Sequence, residues 1–356
     1  MKTTIKLVFS LLVLLSITSC SSIPAKKSKE HAGLFPICKE GTIGYIDATG
    51  KVVITPQFKA IGGSDGCSAG EFQDGLALVN VGYKYGYIDK TGKFVINPQF
   101  EVAMGFSEGF AFVKKDGKYG VIDTSGTFIA EPQFELGTEF SEGLALVVQN
   151  GDAGYIDKSG KMVILPQFAR GDNFSDGLAL VTIGDNQEQG AKCGYIDTAG
   201  KIAISPRFVH CGRFSEGHAL VREGEWGNSS APTVLINQKG DVISKGDYWR
   251  DFREGLAPVC QKAVGVNAQC GYKDSKGEWI IKPTFYQAYP FAEGLAYVVL
   301  DDKRSGYVDK TGKVVISIGE SGLEDQPFFG GLALVATNGK RSYIDKTGKA
   351  VWTGER

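Results

Sequence analysis

Residues 86–113 read GYIDKTGKFVINPQFEVAMGFSEGFAFV. This stretch holds three short runs of aromatic and β-branched residues, at Tyr87–Ile88, Phe94–Ile96 and Phe110–Val113, each bounded by Gly, Pro, Asp or Ser. That is the pattern of strands cut by turns. Asp89 and Gly92 make the first junction tight, because the Asp side chain accepts a bond from the backbone two residues on and Gly supplies a positive φ. Pro98 removes a ladder donor, which puts its strand at or beside a sheet edge. No window carries a helical 3.6-residue period.

The stretch recurs down the chain. FQDGLALV begins at Phe72, FSEGFAFV at Phe106, FSEGLALV at Phe140, FSDGLALV at Phe174, FSEGHALV at Phe214, FREGLAPV at Phe252, FAEGLAYV at Phe291 and FFGGLALV at Phe328, and a degenerate copy, GLFPI, begins at Gly33. The second half recurs with it, from GYIDATGKVVITPQF at Gly44 to YIDKTGKAVW at Tyr343. With the Gly before each strand as origin, nine units start at Gly33, Gly75, Gly109, Gly143, Gly177, Gly217, Gly255, Gly294 and Gly331. Each reads as three strands: A (the LALV run), B (YGYID) and C (KVVI-x-PQF). Leu76 and Leu78 oppose Ala77 and Val79, while Val52 and Ile54 oppose Val53, so the strands are apolar on both faces. Such a sheet needs a neighbour on each side. The expectation is an all-β fold of nine tandem three-stranded β-meanders packed face to face, as a propeller-like ring or an open superhelical array. Glycine, 48 of 356 residues, supplies the turns.

In these motifs the chain resembles the bacterial WG-repeat (KWG-repeat) proteins. Their unit runs through Lys-Trp-Gly-Tyr-Ile-Asp, Thr-Gly-Lys, an apolar strand ending in Pro, and Phe-Ser-Glu-Gly-Leu-Ala; the likeness spans about residues 33 to 352. Tyr mostly replaces the Trp here, as at Tyr85-Gly86 and Tyr119-Gly120, and Trp226-Gly227 alone keeps the pair. The resemblance implies a β-repeat scaffold and no catalytic role.

The N-terminus reads as an export signal. Lys2 and Lys6 flank the start of an apolar run, Leu7 to Leu15, and Ile17-Thr18-Ser19 leads into Cys20. Residues 1–19 are a signal peptide, too short to span a bilayer stably. The Cys after small residues resembles the lipobox of bacterial lipoproteins, which makes Cys20 the lipidation site, bearing palmitate-type acyl chains. The alternative is an ordinary signal peptide with a bystander Cys. Residues 20–32 form a polar tether and 33–356 the repeat domain. Ser21, in place of the Asp that often retains lipoproteins at the inner membrane, favours the outer membrane. The expected location is thus the cell envelope.

The other six cysteines of an exported chain read as disulfides. They fall in pairs within units: Cys38 with Cys67, Cys193 with Cys211, and Cys260 with Cys270. Metal binding is the weaker reading, since CxxC spacing is absent and only three His exist. His31 lies in the tether, His210 beside Cys211, and His218 replaces a strand Leu. The recurring Asp47, Asp89, Asp123, Asp157, Asp197, Asp274, Asp309 and Asp345, with Asn237 in the sixth unit, read as turn caps, because catalysis needs one site and not eight. No nucleophile–base pair and no phosphate-binding glycine pattern stands out. Catalytic, cofactor and metal sites are therefore expected to be absent, and a net charge of −1 gives no field for nucleic acid.

Departures from the repeat carry what functional signal there is. The A-to-B connection lengthens in three consecutive units, at 182–193, 222–233 and 260–270. Insertions at one repeat position project from one face. The expected function is a non-enzymatic envelope lipoprotein that binds a protein or glycan partner through these loops. A structural envelope spacer without a ligand is the alternative, and a loop-borne hydrolase is a third, weaker one.

Overall fold

The structure is a computed structural model and describes residues 33–61, 69–184, 191–224, 233–246, 248–261, 269–300, 304–319, 327–337 and 340–354. The stretches expected to be signal peptide and tether, with Cys20, and also Cys67 and the middle of the three long connections, lie outside the described residues. Every regular element among the described residues is a β-strand.

Unit 3 shows the plan. Strand A (Phe110–Lys115), strand B (Lys118–Asp123) and strand C (Phe128–Phe134) form an antiparallel meander. A two-residue strand, Val102–Ala103, pairs with the far side of strand A. Sequence reading did not see this leading strand, because two residues carry no periodicity. Units 3 to 8 each form such a four-stranded sheet, in the order leading strand–A–B–C, and unit 9 forms a three-stranded one. Units 1 and 2 share a single sheet, joined where Lys59 pairs with Asn80.

Each hydrophobic cluster draws on two consecutive units. Tyr87, Ile96 and Phe100 of unit 2 bury against Ala111, Val113 and Ile122 of unit 3. A lone meander would leave such faces in water, at about 1.5–3 kcal/mol for each large side chain. The same packing joins the ends of the array: Phe35, Ile37 and Ile46 of unit 1 cluster with Leu332 and Tyr343 of unit 9. Tyr343 Oη donates to the Pro36 carbonyl at 2.9 Å. A Cβ on Gly50 would lie 1.9 Å from the Val351 carbonyl oxygen. The nine units therefore close into a ring, which decides between the two expected architectures, and among the described residues no strand is exchanged between the termini to close it.

Strand C differs from the expectation of two buried faces. Ile54 and Phe58 are buried, but Val52 and Val53 are 43% and 44% exposed. Apart from Lys59, which pairs with Asn80, strand C of unit 1 bonds to strand B alone, and in the other units strand C is the free edge of its sheet; it forms the outer circumference, which leaves the leading strands to line the axis. Its proline marks a bulge: Tyr87 faces Ile96 and Tyr85 faces Phe100, so four steps on one strand match two on the other. Gly86 sits under this bulge, where a Cβ would lie 2.6 Å from the Ile96 oxygen and 2.7 Å from the Pro98 nitrogen. The glycine after the aromatic residue is thus a steric requirement.

The Phe-Ser-Glu-Gly turns lock neighbouring units together at one end of the ring. Glu108 takes a left-handed φ of 56°, and its carboxylate accepts the N–H groups of Glu142 and Gly143 in the next unit, at 2.9 Å each. Burial pushes the Glu108 carboxyl up, but the Gly143 and Glu142 N–H groups and Lys158 outweigh it and hold the carboxyl below its ordinary range. The same clamp recurs from Asp74 to Gly109, Glu142 to Gly177, Asp176 to Gly217, Glu216 to Gly255, Glu254 to Gly294 and Glu293 to Gly331. Ser107, Ser141, Ser175 and Ser215 add hydroxyl bonds to the next unit's Phe carbonyl.

Candidate functional site

The chain meanders, so the Phe-Ser-Glu-Gly and Asp-x-x-Gly turns share one end of the ring and the A-to-B connections share the other. At the turn end the repeated aspartates serve the backbone. Asp89 Oδ1 accepts the Thr91 N–H at 2.8 Å, the Thr91 hydroxyl at 2.6 Å and the Lys93 N–H at 3.1 Å. Asp47, Asp123, Asp157, Asp197, Asp274, Asp309 and Asp345 accept the same two N–H groups, and Asn237 does so in unit 6. Where a Thr or Ser stands two residues on, its hydroxyl is the main cause that holds the carboxyl below its ordinary range, at Asp47, Asp89, Asp123, Asp157, Asp309 and Asp345. These carboxylates are turn caps, as their repetition implies.

The connection end carries the three lengthened A-to-B connections, and they fall in units 5 to 7. Lys192 Nζ, at the base of the first long connection, donates to the Gly224 carbonyl at the base of the second, at 2.7 Å. The bases of the two insertions are therefore neighbours, as one repeat position on one face requires. Cys193 bonds to Cys211. Cys193 lies on strand B of unit 5 and Cys211 on the leading strand of unit 6, so this bridge staples two sheets, where the sequence spacing suggested one unit. Cys260 and Cys270 face each other across strands A and B of unit 7 and are bonded, with Cα atoms 3.9 Å apart. The pairing expected for Cys38 involves Cys67, outside the described residues.

The same three units carry an ion network along the axis that sequence reading missed. Arg213 Nε donates to Asp172 Oδ2 at 2.6 Å, across units 5 and 6. Burial lifts the Asp251 carboxyl of unit 7 above its ordinary range, against the pull of Arg253, Arg213 and Arg250. Burial also lowers the Arg253 guanidinium, with Asp251, Glu216 and Glu254 opposing. Arg250 lies over the Tyr289 ring, 4.4 Å from its centre. The available signal was the position before each motif Phe, which varies from Gly105, Glu139 and Asn173 to Arg213, Asp251 and Pro290.

Two histidines, His210 and His218, lie among the described residues. His218 Nδ1 is 2.7 Å from the Glu216 carbonyl, and its ring tilts against Phe252 at 4.9 Å. His210 lies on the leading strand of unit 6, opposite Arg222. Among the described residues no cluster of three or more His, Cys, Asp or Glu is placed to hold a metal ion, and no helix is long and apolar enough to cross a membrane.

Comparison with known proteins identifies the repeat. Residues 43–85, 85–119, 119–151, 154–186, 194–225 and 271–303 match the family described as "WG containing repeat". No curated protein matches the chain. Among solved structures, one described as a crystal structure of the eukaryotic initiation factor is similar at a TM-score of 0.65 and 11% identity, covering 91% of this chain and 96% of that one. Hsv2p of Kluyveromyces lactis gives a TM-score of 0.40 at 8% identity, over 71% of this chain and 96% of that one. The extracellular domain of the putative hybrid two component system BT3049 from B. thetaiotaomicron gives 0.29 at 11% identity, over 90% of this chain and 50% of that one. At these identities the first likeness concerns the fold alone.

Proposed function

The chain belongs to the WG-containing repeat family, and from that premise we propose that it is a non-enzymatic envelope lipoprotein whose ring presents the connection end of units 5 to 7 to a protein or glycan partner. In this reading acyl chains on Cys20 hold it to the membrane, the outer one being favoured by Ser21, and the tether 20–32 sets the ring off the surface. Two or more acyl chains give stable anchoring where one does not. The observation that carries the reading is the coincidence of departures at one place. The insertions 182–193, 222–233 and 260–270, the bond from Lys192 to Gly224, and the bridges Cys193–Cys211 and Cys260–Cys270 all belong to the same three units. Drift along a repeat array scatters insertions, whereas insertions rooted on neighbouring, disulfide-braced strands suit a recognition surface.

The test replaces each long connection with the two-residue Asn-Gly turn that unit 4 uses at Asn150–Gly151. Cross-linking in intact cells, followed by mass spectrometry of the captured partners, compares this trimmed protein with the wild type. Loss of a saturable partner on trimming supports the reading. Capture unchanged by trimming sinks it, and the absence of any saturable partner for either protein favours the structural spacer. Globomycin-sensitive processing at Cys20, read as labelling by an alkynyl palmitate analogue, tests the anchor separately.

A further inference from the structure

Unit 2 holds an aromatic residue that its fold does not need. The short A-to-B turns of units 1, 3 and 4 are Glu40–Gly41, Asp116–Gly117 and Asn150–Gly151, each with both residues at positive φ and Gly second. In unit 2 the turn is Gly82–Tyr83, with Tyr83 at φ 65°. Glycine takes that conformation freely, whereas a bulky side chain is strained there. Burial does not compensate the strain, because Tyr83 is 80% exposed. Its one ring contact among the described residues is the Lys59 ammonium, 4.4 Å from the ring centre. Strain held at an exposed side chain points to a role outside the fold.

The surroundings are also particular to this place. Lys59 and Asn80 form the ladder pair that fuses the sheets of units 1 and 2. Asn80 is 7% exposed, and its side-chain oxygen is buried without a hydrogen-bond partner among the described residues. In the sequence, the first unit's insertion, residues 62–71, lies between Lys59 and Asn80. Because Lys59 and Asn80 are paired, the backbone here is closed to an added peptide strand.

We propose that Tyr83 and Lys59 form a saccharide-binding platform on the connection end of the ring, with Tyr83 as the stacking ring. The C–H face of a pyranose packs on the free face of the Tyr83 ring, whose body is apolar and whose edge is polar. A sugar hydroxyl accepts from the Lys59 ammonium, which lies 4.4 Å from the ring centre. The fused sheet, in which Lys59 pairs with Asn80, holds the two groups in place, which limits the entropy lost on binding. This site lies in unit 2 and does not depend on the loops of units 5 to 7.

The test probes an array of defined bacterial and plant glycans with the mature chain, then titrates the best-retained oligosaccharide by calorimetry against wild type, Tyr83→Gly, Tyr83→Phe and the loop-trimmed protein. Tyr83→Gly is expected to weaken binding at least about tenfold, while its melting temperature stays level or rises, since Gly meets the positive φ without strain. Tyr83→Phe and the trimmed protein are expected to keep binding. The proposal is overturned if the wild type retains no saccharide, if Tyr83→Gly binds as well as wild type, or if Tyr83→Gly melts lower, which would make the ring part of the fold.

Discussion

Replacing Glu108 separates the two effects that meet at the inter-unit clamp. Glu108→Ala removes the acceptors of two N–H groups, at 2.9 Å each, in the next unit. Bonds to a charged group are worth about 1.5–3 kcal/mol apiece, and the side chain is 24% exposed, so the low end applies and the pair contributes about 3 kcal/mol. The Lys158 contact at 3.2 Å is half-exposed and adds at most about 0.5 kcal/mol. Alanine keeps the strained φ of 56°. Glu108→Gly loses the same bonds but recovers about 1 kcal/mol of that strain. For a chain of this length 1 kcal/mol moves the melting temperature by roughly 1.5 °C. Calorimetry at pH 7 should therefore show Glu108→Ala lower by about 5 °C and Glu108→Gly by about 3 °C. The Glu108 carboxyl titrates below its ordinary value. Its stabilisation is thus fully present above the unfolded value near ~4.3 and fades as pH falls through the folded one. The gap between wild type and Glu108→Ala should shrink in acid. Equal melting of wild type and Glu108→Ala at pH 7, or a larger loss in Glu108→Gly than in Glu108→Ala, would refute the clamp.

Other outcomes follow from the same geometry. Burial raises the hydroxyl pKa of Tyr45, Tyr87, Tyr155, Tyr195, Tyr272 and Tyr343, so stability should hold below about pH 10 and fall as pH rises further; melting curves from pH 8 upward, read beside tyrosinate absorbance, check this. The aspartate caps act in the opposite sense, their contribution present above about pH 4 and lost below it, and an Asp89→Ala protein should lose stability that Asp89→Asn keeps, as Asn237 does in unit 6. Gly86→Ala should cost about 3 kcal/mol or prevent folding, because its Cβ would meet the Ile96 oxygen at 2.6 Å; an expression and melting comparison with Gly75→Ala, where a Cβ meets nothing within 4 Å, isolates the steric part from the φ. Removing the Cys193–Cys211 bridge, which spans 18 residues, should lower stability by about 3 kcal/mol in denaturant titration, and a neutral result would show that the staple between units 5 and 6 carries no load.

Much of this fold stands in the repeated letters. Strands A, B and C fall where the Leu-Ala-Leu-Val, Tyr-Gly-Tyr-Ile-Asp and Lys-Val-Val-Ile runs place them, because alternation and turn residues are local signals. The edge position of strand C was legible from Pro98, but the exposure of Val53 and Val95 was not, since valine favours a strand whether or not its outer face is covered. The leading strands were invisible, as pairs of residues such as Val102–Ala103 acquire strand geometry only from the neighbouring unit. Ring closure was likewise beyond reach, because it depends on a small rotation per unit summed over nine units. At the candidate site the insertions and cysteines could be read directly. Arg213 and Asp251 could not, because their positions vary freely from unit to unit and only the ring brings them together.

The central claim is that units 1 and 9 pack on each other and close the ring. Pulsed electron-electron resonance between spin labels at Lys51 and Lys349, both exposed on the turns of those terminal units, measures it directly. A closed ring gives one narrow distance population, on the order of a ~10 Å sheet spacing plus the label arms. An open array would instead separate the labels by several such spacings, toward ~80 Å for nine stacked sheets, and that result would contradict the account.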